Sequence, residues 1–132
     1  VSIEARLQFP HLTVVSFEIR PEGEELMRIN SRRFGAPGIT ALIGDFLQTD
    51  LEPLPRPDAV FIGGHGGKLV EILMVVSKKM KENGVIVFNS VSDESKALLE
   101  EAVRQTGLRI SAQTRITIDD FNTITVNVIY KL

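Results

Sequence analysis

Cysteine is absent from all 132 residues. Disulfides, thiolate metal sites and a cysteine nucleophile are therefore excluded. Excess charge of either sign is absent too: 15 Lys and Arg stand against 17 Asp and Glu, and no long charge run occurs. That balance argues against nucleic acid or an anionic membrane as the main partner. No apolar run approaches the length of a membrane span. The chain opens Val1-Ser2-Ile3-Glu4, without the basic segment of a signal peptide, so a cytoplasmic location is the default expectation. It also lacks an initiator Met, so it reads as a fragment or as a chain whose front is missing. No internal repeat or low-complexity segment stands out, and the length suits one domain, residues 1–132.

What the chain does have is a concentration of glycine. Ala59-Val60-Phe61-Ile62 is followed by Gly63-Gly64-His65-Gly66-Gly67. A short unbroken apolar run between turn signals predicts a strand buried on both faces, as in a parallel sheet. In open α/β sheets ligands sit just past the carboxyl ends of such strands. Glycines there remove side-chain bulk and permit positive φ, so a ligand can approach the backbone closely. A helix starting after Lys68 would turn its first N–H groups toward that ligand. The plain alternative is a tight strand-to-helix turn.

Taken in order, the chain alternates helix and strand. Ser2 to Leu7 is helical and Pro10 ends it; Leu12 to Phe17 is a buried strand with Glu18 at its carboxyl end. A helix with acids in its first turn begins at Pro21 to Glu25 and stops at Gly35. Ile39 to Ile43 is a strand ending at Gly44-Asp45, followed by a short helical turn over Phe46 to Asp50. After a proline-stiffened loop and the strand at Ala59, Leu69 to Lys81 predicts an amphipathic helix capped by Asn83-Gly84. Val85 to Asn89 is another buried strand. Ser92 N-caps a helix that ends at Gly107, with Ser95 completing only half of a capping box. Leu108 to Ile118 and Asn122 to Lys131 form an antiparallel hairpin about Asp119-Asp120. Parallel βαβ units followed by a hairpin place Glu18, Asp45, the glycine run and Asn89-Ser90 along one rim of the sheet.

That rim suits a nucleoside. Glu18 can accept hydrogen bonds from two ribose hydroxyls. Asp45 can accept from an exocyclic amine, and its N–H or that of Phe46 can serve a ring nitrogen. Phe46 can cover an adenine face. The alternatives are a solvated acid, an ordinary turn and a core phenylalanine. Nicotinamide dinucleotide and S-adenosylmethionine (SAM) are the main candidates. His65 can donate to a substrate carboxylate or accept a proton, or it is a plain loop residue; it is the only candidate for a catalytic side chain. His11 has no evident role. No acid–base dyad, metal cluster or nucleophile elbow is visible. Methyl transfer from a sulfonium needs mainly positioning and a dry, shaped site.

Val1-Ser2-Ile3-Glu4-Ala5, Phe17-Glu18 with Pro21-Glu22, Gly44-Asp45, and Pro57 to Gly67 are similar in order and spacing to the decarboxylating precorrin methyltransferases of cobalamin biosynthesis. Those enzymes occur alone or as the C-terminal half of a fused protein. The resemblance covers essentially the whole chain, and the double glycine pair is its most specific part. It implies an α/β class I SAM-dependent methyltransferase (Rossmann-like) fold, a mostly parallel sheet in the order 3-2-1-4-5-7-6 with an antiparallel C-terminal hairpin. It implies SAM as methyl donor and a precorrin tetrapyrrole as substrate, methylated at two meso carbons with loss of carbon dioxide. Carried over by position, Glu18, Asp45, Phe46 and Gly63 are cofactor-binding. Gly64, His65, Gly66 and Gly67 lie beside the methyl group and the tetrapyrrole. The family's usual residue at the position of His65 is small, often Ser. A homo-oligomer, often a tetramer in the family, is expected, with fusion to an upstream methyltransferase domain as an option.

The family's glycine-rich first motif, and the first central strand leading into it, would precede Val1. Without that strand, upstream residues, a neighbouring chain or closure of the sheet must satisfy the exposed edges, and the 132 residues alone should bind SAM poorly. Competing readings are a class I methyltransferase acting on another small molecule, a dinucleotide-binding module, and a non-catalytic assembly domain. A precorrin carries many carboxylates, and Lys68, Arg115 and the helix start at Gly67 could supply donors for them.

Overall fold

The computed structural model describes residues 1–131. Two compact units follow one another, Val1–Asp50 and a second beginning at Leu51.

In the first unit, α1 (Ser2–Gln8) leads into β1 (Val14–Glu18), α2 (Gly23–Arg33) and β2 (Ile39–Ile43), then a 3-10 turn at Phe46–Gln48. β1 and β2 pair in parallel, from Val14 against Ile39 to Glu18 against Ile43. A parallel pair needs a crossover, and α2 supplies it. Glu24 and Glu25 in its first turn and Arg32 and Arg33 in its last complement the helix dipole. Gly35, at φ +64°, takes the left-handed conformation that lets the chain leave the helix.

The second unit contains β3 (Ala59–Ile62), α3 (Leu69–Lys79), β4 (Val85–Ser90), α4 (Asp93–Thr106), β5 (Arg109–Ile116) and β6 (Ile124–Tyr130). Its sheet runs β3-β4-β6-β5. β3 and β4 are parallel, and β6 is antiparallel to both β4 and β5. Asp119 and Asp120, both at positive φ, turn the hairpin; short polar side chains tolerate that region best after glycine. Ile62, Ile86, Phe88 and Ile129 on the sheet, with Leu69, Leu73, Val76 and Leu99 on the helices, form the core.

Among the described residues β1 pairs only with β2, and β3 only with β4. Within each unit the strands follow the implied order, 3-2 in the first and 4-5-7-6 in the second. Among the described residues no ladder joins the two sheets.

Four expectations change in detail. β3 is not buried on both faces: Ile62 is buried, but Phe61 stays 40% exposed, because the face that carries Ala59 and Phe61 is uncovered. β4 likewise alternates, with Ile86, Phe88 and Ser90 buried and Val85, Val87 and Asn89 half-buried, which is the signature of one covered face. α3 stops at Lys79, because Met80 is already extended; Asn83-Gly84 instead forms a separate turn into β4, closed by Gly84 N–H donating to Lys81 O at 3.1 Å. The capping box of α4 is complete, since the Ser95 hydroxyl accepts from Ser92 N–H at 3.1 Å while Ser95 N–H donates to Ser92 Oγ. A serine hydroxyl does there what Glu or Gln usually does.

Candidate functional site

In the first unit the parallel register brings the ends of β1 and β2 together. Gly44 N–H donates to Glu18 O at 2.9 Å, so the turn after β2 is tied to the residue that closes β1. Gly44 holds φ +137° with open space where a Cβ would be. Asp45 follows as the cap of the 3-10 turn, its Oδ1 accepting from Leu47 N–H at 2.9 Å. Phe46 packs edge-on against Phe17, with ring centroids 5.0 Å apart at 88°. Glu18, Asp45 and Phe46 therefore share one end of the two-stranded sheet.

Glu18 is engaged by its neighbour. Arg20 Nε donates to Oε1 at 3.0 Å and Nη2 to Oε2 at 3.1 Å, while Arg20 N–H adds a third bond to Oε1. The Arg20 side chain, then its backbone N–H, hold the Glu18 carboxyl at a pKa of about 2, against partial desolvation. Glu18 lines a cavity of about 260 Å³ with Ser2, Ser16, Phe17 and Met27. Ligand pockets commonly span about 300–1,000 Å³, so this one suits a ribose rather than a whole SAM. A carboxylate, two hydroxyls (Ser2 and Ser16, hydrogen-bonded to each other) and two apolar walls fit such a group chemically.

Gly23 is a residue the sequence reading passed over. A Cβ built on it would lie 2.3 Å from Glu18 Cγ. The first residue of α2 thus has to be side-chain-free for Glu18 to lie where it does. The only signal in the sequence was a glycine at an acidic helix start, where Ser, Asp or Asn is commoner.

In the second unit the glycine run leaves the carboxyl end of β3. Gly66 and Gly67 hold φ +54° and +82°, values that cost other residues strain. Gly64 has no atom within 4 Å of where a Cβ would stand. His65 sits at the apex of this loop: its Nδ1 accepts from Gly67 N–H at 3.1 Å, and its ring meets Phe88 at 5.7 Å and 72°. β3 and β4 are parallel, so Asn89 and Ser90 lie at the same end of the sheet. Register carries that end further: Ser90 faces Thr125, and Thr125 faces Arg115. Lys68 caps the start of α3. The glycine run, His65, Lys68, Asn89, Ser90 and Arg115 therefore gather at one end of the four-stranded sheet, cations included.

Two features of that end were not legible in advance. Asn127 is fully buried and donates to Phe88 O, Ser90 Oγ and Thr125 O while accepting from Gln113 Nε2 at 2.7 Å. Asn89 Oδ1 is buried without a hydrogen-bond partner. Buried polar atoms are nearly always paired, so this acceptor at the same sheet end as the glycine run is open to a donor from outside the chain, a water or a ligand.

Comparison with known proteins follows the same line. The family model described as the precorrin methyltransferase domain matches residues 1–129. A Sinorhizobium precorrin-6Y C(5,15)-methyltransferase (decarboxylating) is 33% identical over 99 residues, covering 75% of this chain and 24% of that protein. A Salmonella typhimurium cobalt-precorrin-6B C(15)-methyltransferase (decarboxylating) is 35% identical over 95 residues, covering 72% and 48% respectively. The chain thus spans about a quarter to a half of these relatives. Among solved structures, a precorrin-6Y C5,15-methyltransferase from Geobacter metallireducens superposes with a TM-score of 0.82 at 29% identity, covering all of this chain and 73% of that one. The fold is that of the class I SAM-dependent methyltransferases, and this chain belongs to the precorrin methyltransferase domain family.

Proposed function

We propose that the chain supplies the methyl-transferring domain of a decarboxylating precorrin methyltransferase of cobalamin biosynthesis, acting in the cytoplasm with SAM as methyl donor. Glu18 would accept from the ribose hydroxyls, Asp45 and Phe46 would hold the adenine, and Gly63 would let the cofactor approach the backbone. Gly64, His65, Gly66 and Gly67 would border the tetrapyrrole. A new carbon–carbon bond forms at a meso carbon as the sulfonium–methyl bond breaks and S-adenosylhomocysteine leaves. Loss of a ring acetate carboxylate as carbon dioxide accompanies it. A homo-oligomer, and fusion to another methyltransferase domain, belong to the same proposal.

The observation that carries the reading is the glycine run at the carboxyl end of β3, with two residues at positive φ and cationic Lys68 and Arg115 at the same sheet end. A polycarboxylate substrate needs room and donors together. The antiparallel pairing of β6 with both neighbours disfavours a dinucleotide-binding module, whose common form stays parallel to its sixth strand. The test is to supply full-length protein with methyl-labelled SAM and a precorrin. Label in the tetrapyrrole together with carbon dioxide release supports the reading; label transferred to no tetrapyrrole contradicts it.

A further inference from the structure

We propose that His65 anchors a carboxylate of the substrate by donating a hydrogen bond from Nε2–H, and that it is not a proton acceptor. The inference rests on the tetrapyrrole reading above.

A neutral imidazole has one N–H and one bare nitrogen, and whichever nitrogen accepts a hydrogen bond fixes the other as donor. In this loop Nδ1 accepts from Gly67 N–H at 3.1 Å. The proton of the neutral ring therefore sits on Nε2. Protonating Nδ1 would set two hydrogens against each other and break the loop's own bond. So the base that the sequence left open is already committed to the backbone, and a donor is what remains.

The ring is held before any ligand arrives. Phe88, fully buried, meets it edge to face at 5.7 Å. The positive φ of Gly66 and Gly67 returns the Gly67 N–H to the ring. Holding a side chain in place beforehand lowers the entropy cost of binding. Nε2 makes no hydrogen bond among the described residues, and the buried unpaired side-chain atom is on Asn89, not on His65. Nε2–H therefore reaches solvent. The setting selects an anion over a neutral acceptor. Lys68 and Arg115 lie at the same sheet end, and the eleven-residue helix α3 begins four residues after His65, adding positive dipole.

The test uses full-length protein, a stable polycarboxylate tetrapyrrole (uroporphyrin) as binding probe, and the precorrin for kinetics. His65→Phe keeps a ring against Phe88 and removes the donor; His65→Gln keeps a donor at a similar reach. The expected result is that His65→Phe weakens uroporphyrin binding and raises KM about ten- to a hundredfold. In that variant kcat stays near the parent value and SAM affinity is unchanged. His65→Gln recovers most of the loss. Long-range proton–nitrogen spectra of the parent should show the Nε2–H tautomer. Equal uroporphyrin affinity in parent and His65→Phe overturns the role of His65 alone, as does a fall in kcat without a change in KM. Failure of the parent itself to bind uroporphyrin or to turn over a precorrin overturns the substrate reading and this role with it.

Discussion

Arg20 grips both carboxylate oxygens of Glu18, through Nε at 3.0 Å and Nη2 at 3.1 Å. The residue assigned to the ribose is thus already hydrogen-bonded by its own chain. A carboxylate has about four acceptor positions; Arg20 Nε, Nη2 and backbone N–H take three, so Arg20 orients Glu18 and leaves about one position for a hydroxyl donor. Arg20→Ala should remove both guanidinium bonds, leave the backbone N–H on Oε1, and loosen the side chain. SAM affinity in that variant should change by less than about tenfold, since the exposed ion pair contributes only about 0–1 kcal/mol. Titration calorimetry checks this; a larger loss would make Arg20 a ligand contact in its own right.

The same pair sets a pH dependence. The Glu18 carboxyl falls from 4.5 to about 2 in the folded protein. A depressed carboxyl stabilises the fold fully above its unfolded pKa and loses that contribution as pH falls toward the folded value. The parent should lose about 0.5–1 kcal/mol between pH 4.5 and 2 from this group after screening. Glu18→Gln should remove that part of the acid slope by lowering neutral stability by about the same 0.5–1 kcal/mol, while stability at pH 2 stays nearly that of the parent. Urea unfolding across that pH range measures it.

Gly64 separates ligand space from folding space. No atom stands within 4 Å of its would-be Cβ, and its φ is not in the left-handed region. Gly64→Val should therefore keep stability within about 0.5 kcal/mol of the parent. Turnover should fall at least about tenfold, because the added bulk enters the space assigned to the substrate. Thermal unfolding and single-turnover rates on the same preparation read both. Unchanged turnover would make the run a turn and nothing more.

Asn127 tests the scaffold beneath the site. Its amide satisfies three acceptors and takes one donor in the core. Asn127→Ala should destabilise the fold by about 2–4 kcal/mol, from the cavity and the polar groups left unpaired. Denaturant unfolding measures this, and a loss below about 1 kcal/mol would show that the network contributes little.

The alternation of strand and helix was readable because each element carries its own punctuation. Gly35 and Gly107 adopt the left-handed conformation at helix ends, and Asp119-Asp120 turns the hairpin. The strand order beyond simple neighbours came from the resemblance rather than from periodicity. What stayed hidden was long-range. In β6 the pattern Thr125-Val126-Asn127-Val128 suggests valines inward, yet Thr125 and Asn127 are the buried pair. The Ser90 hydroxyl and the Phe88 carbonyl that help make this affordable come from β4, far away in sequence. The fork of Arg20 on Glu18 and the room made by Gly23 were equally invisible, since both depend on how the β1–α2 connection folds back.

The central claim is that the carboxyl end of β1 holds the ribose of SAM through Glu18. Titration calorimetry of SAM into the full-length parent and into Glu18→Ala tests it most directly. The account predicts saturable binding by the parent and a loss of about 1–3 kcal/mol in the variant, from charge-assisted hydrogen bonds removed. Equal dissociation constants for the two proteins would contradict it.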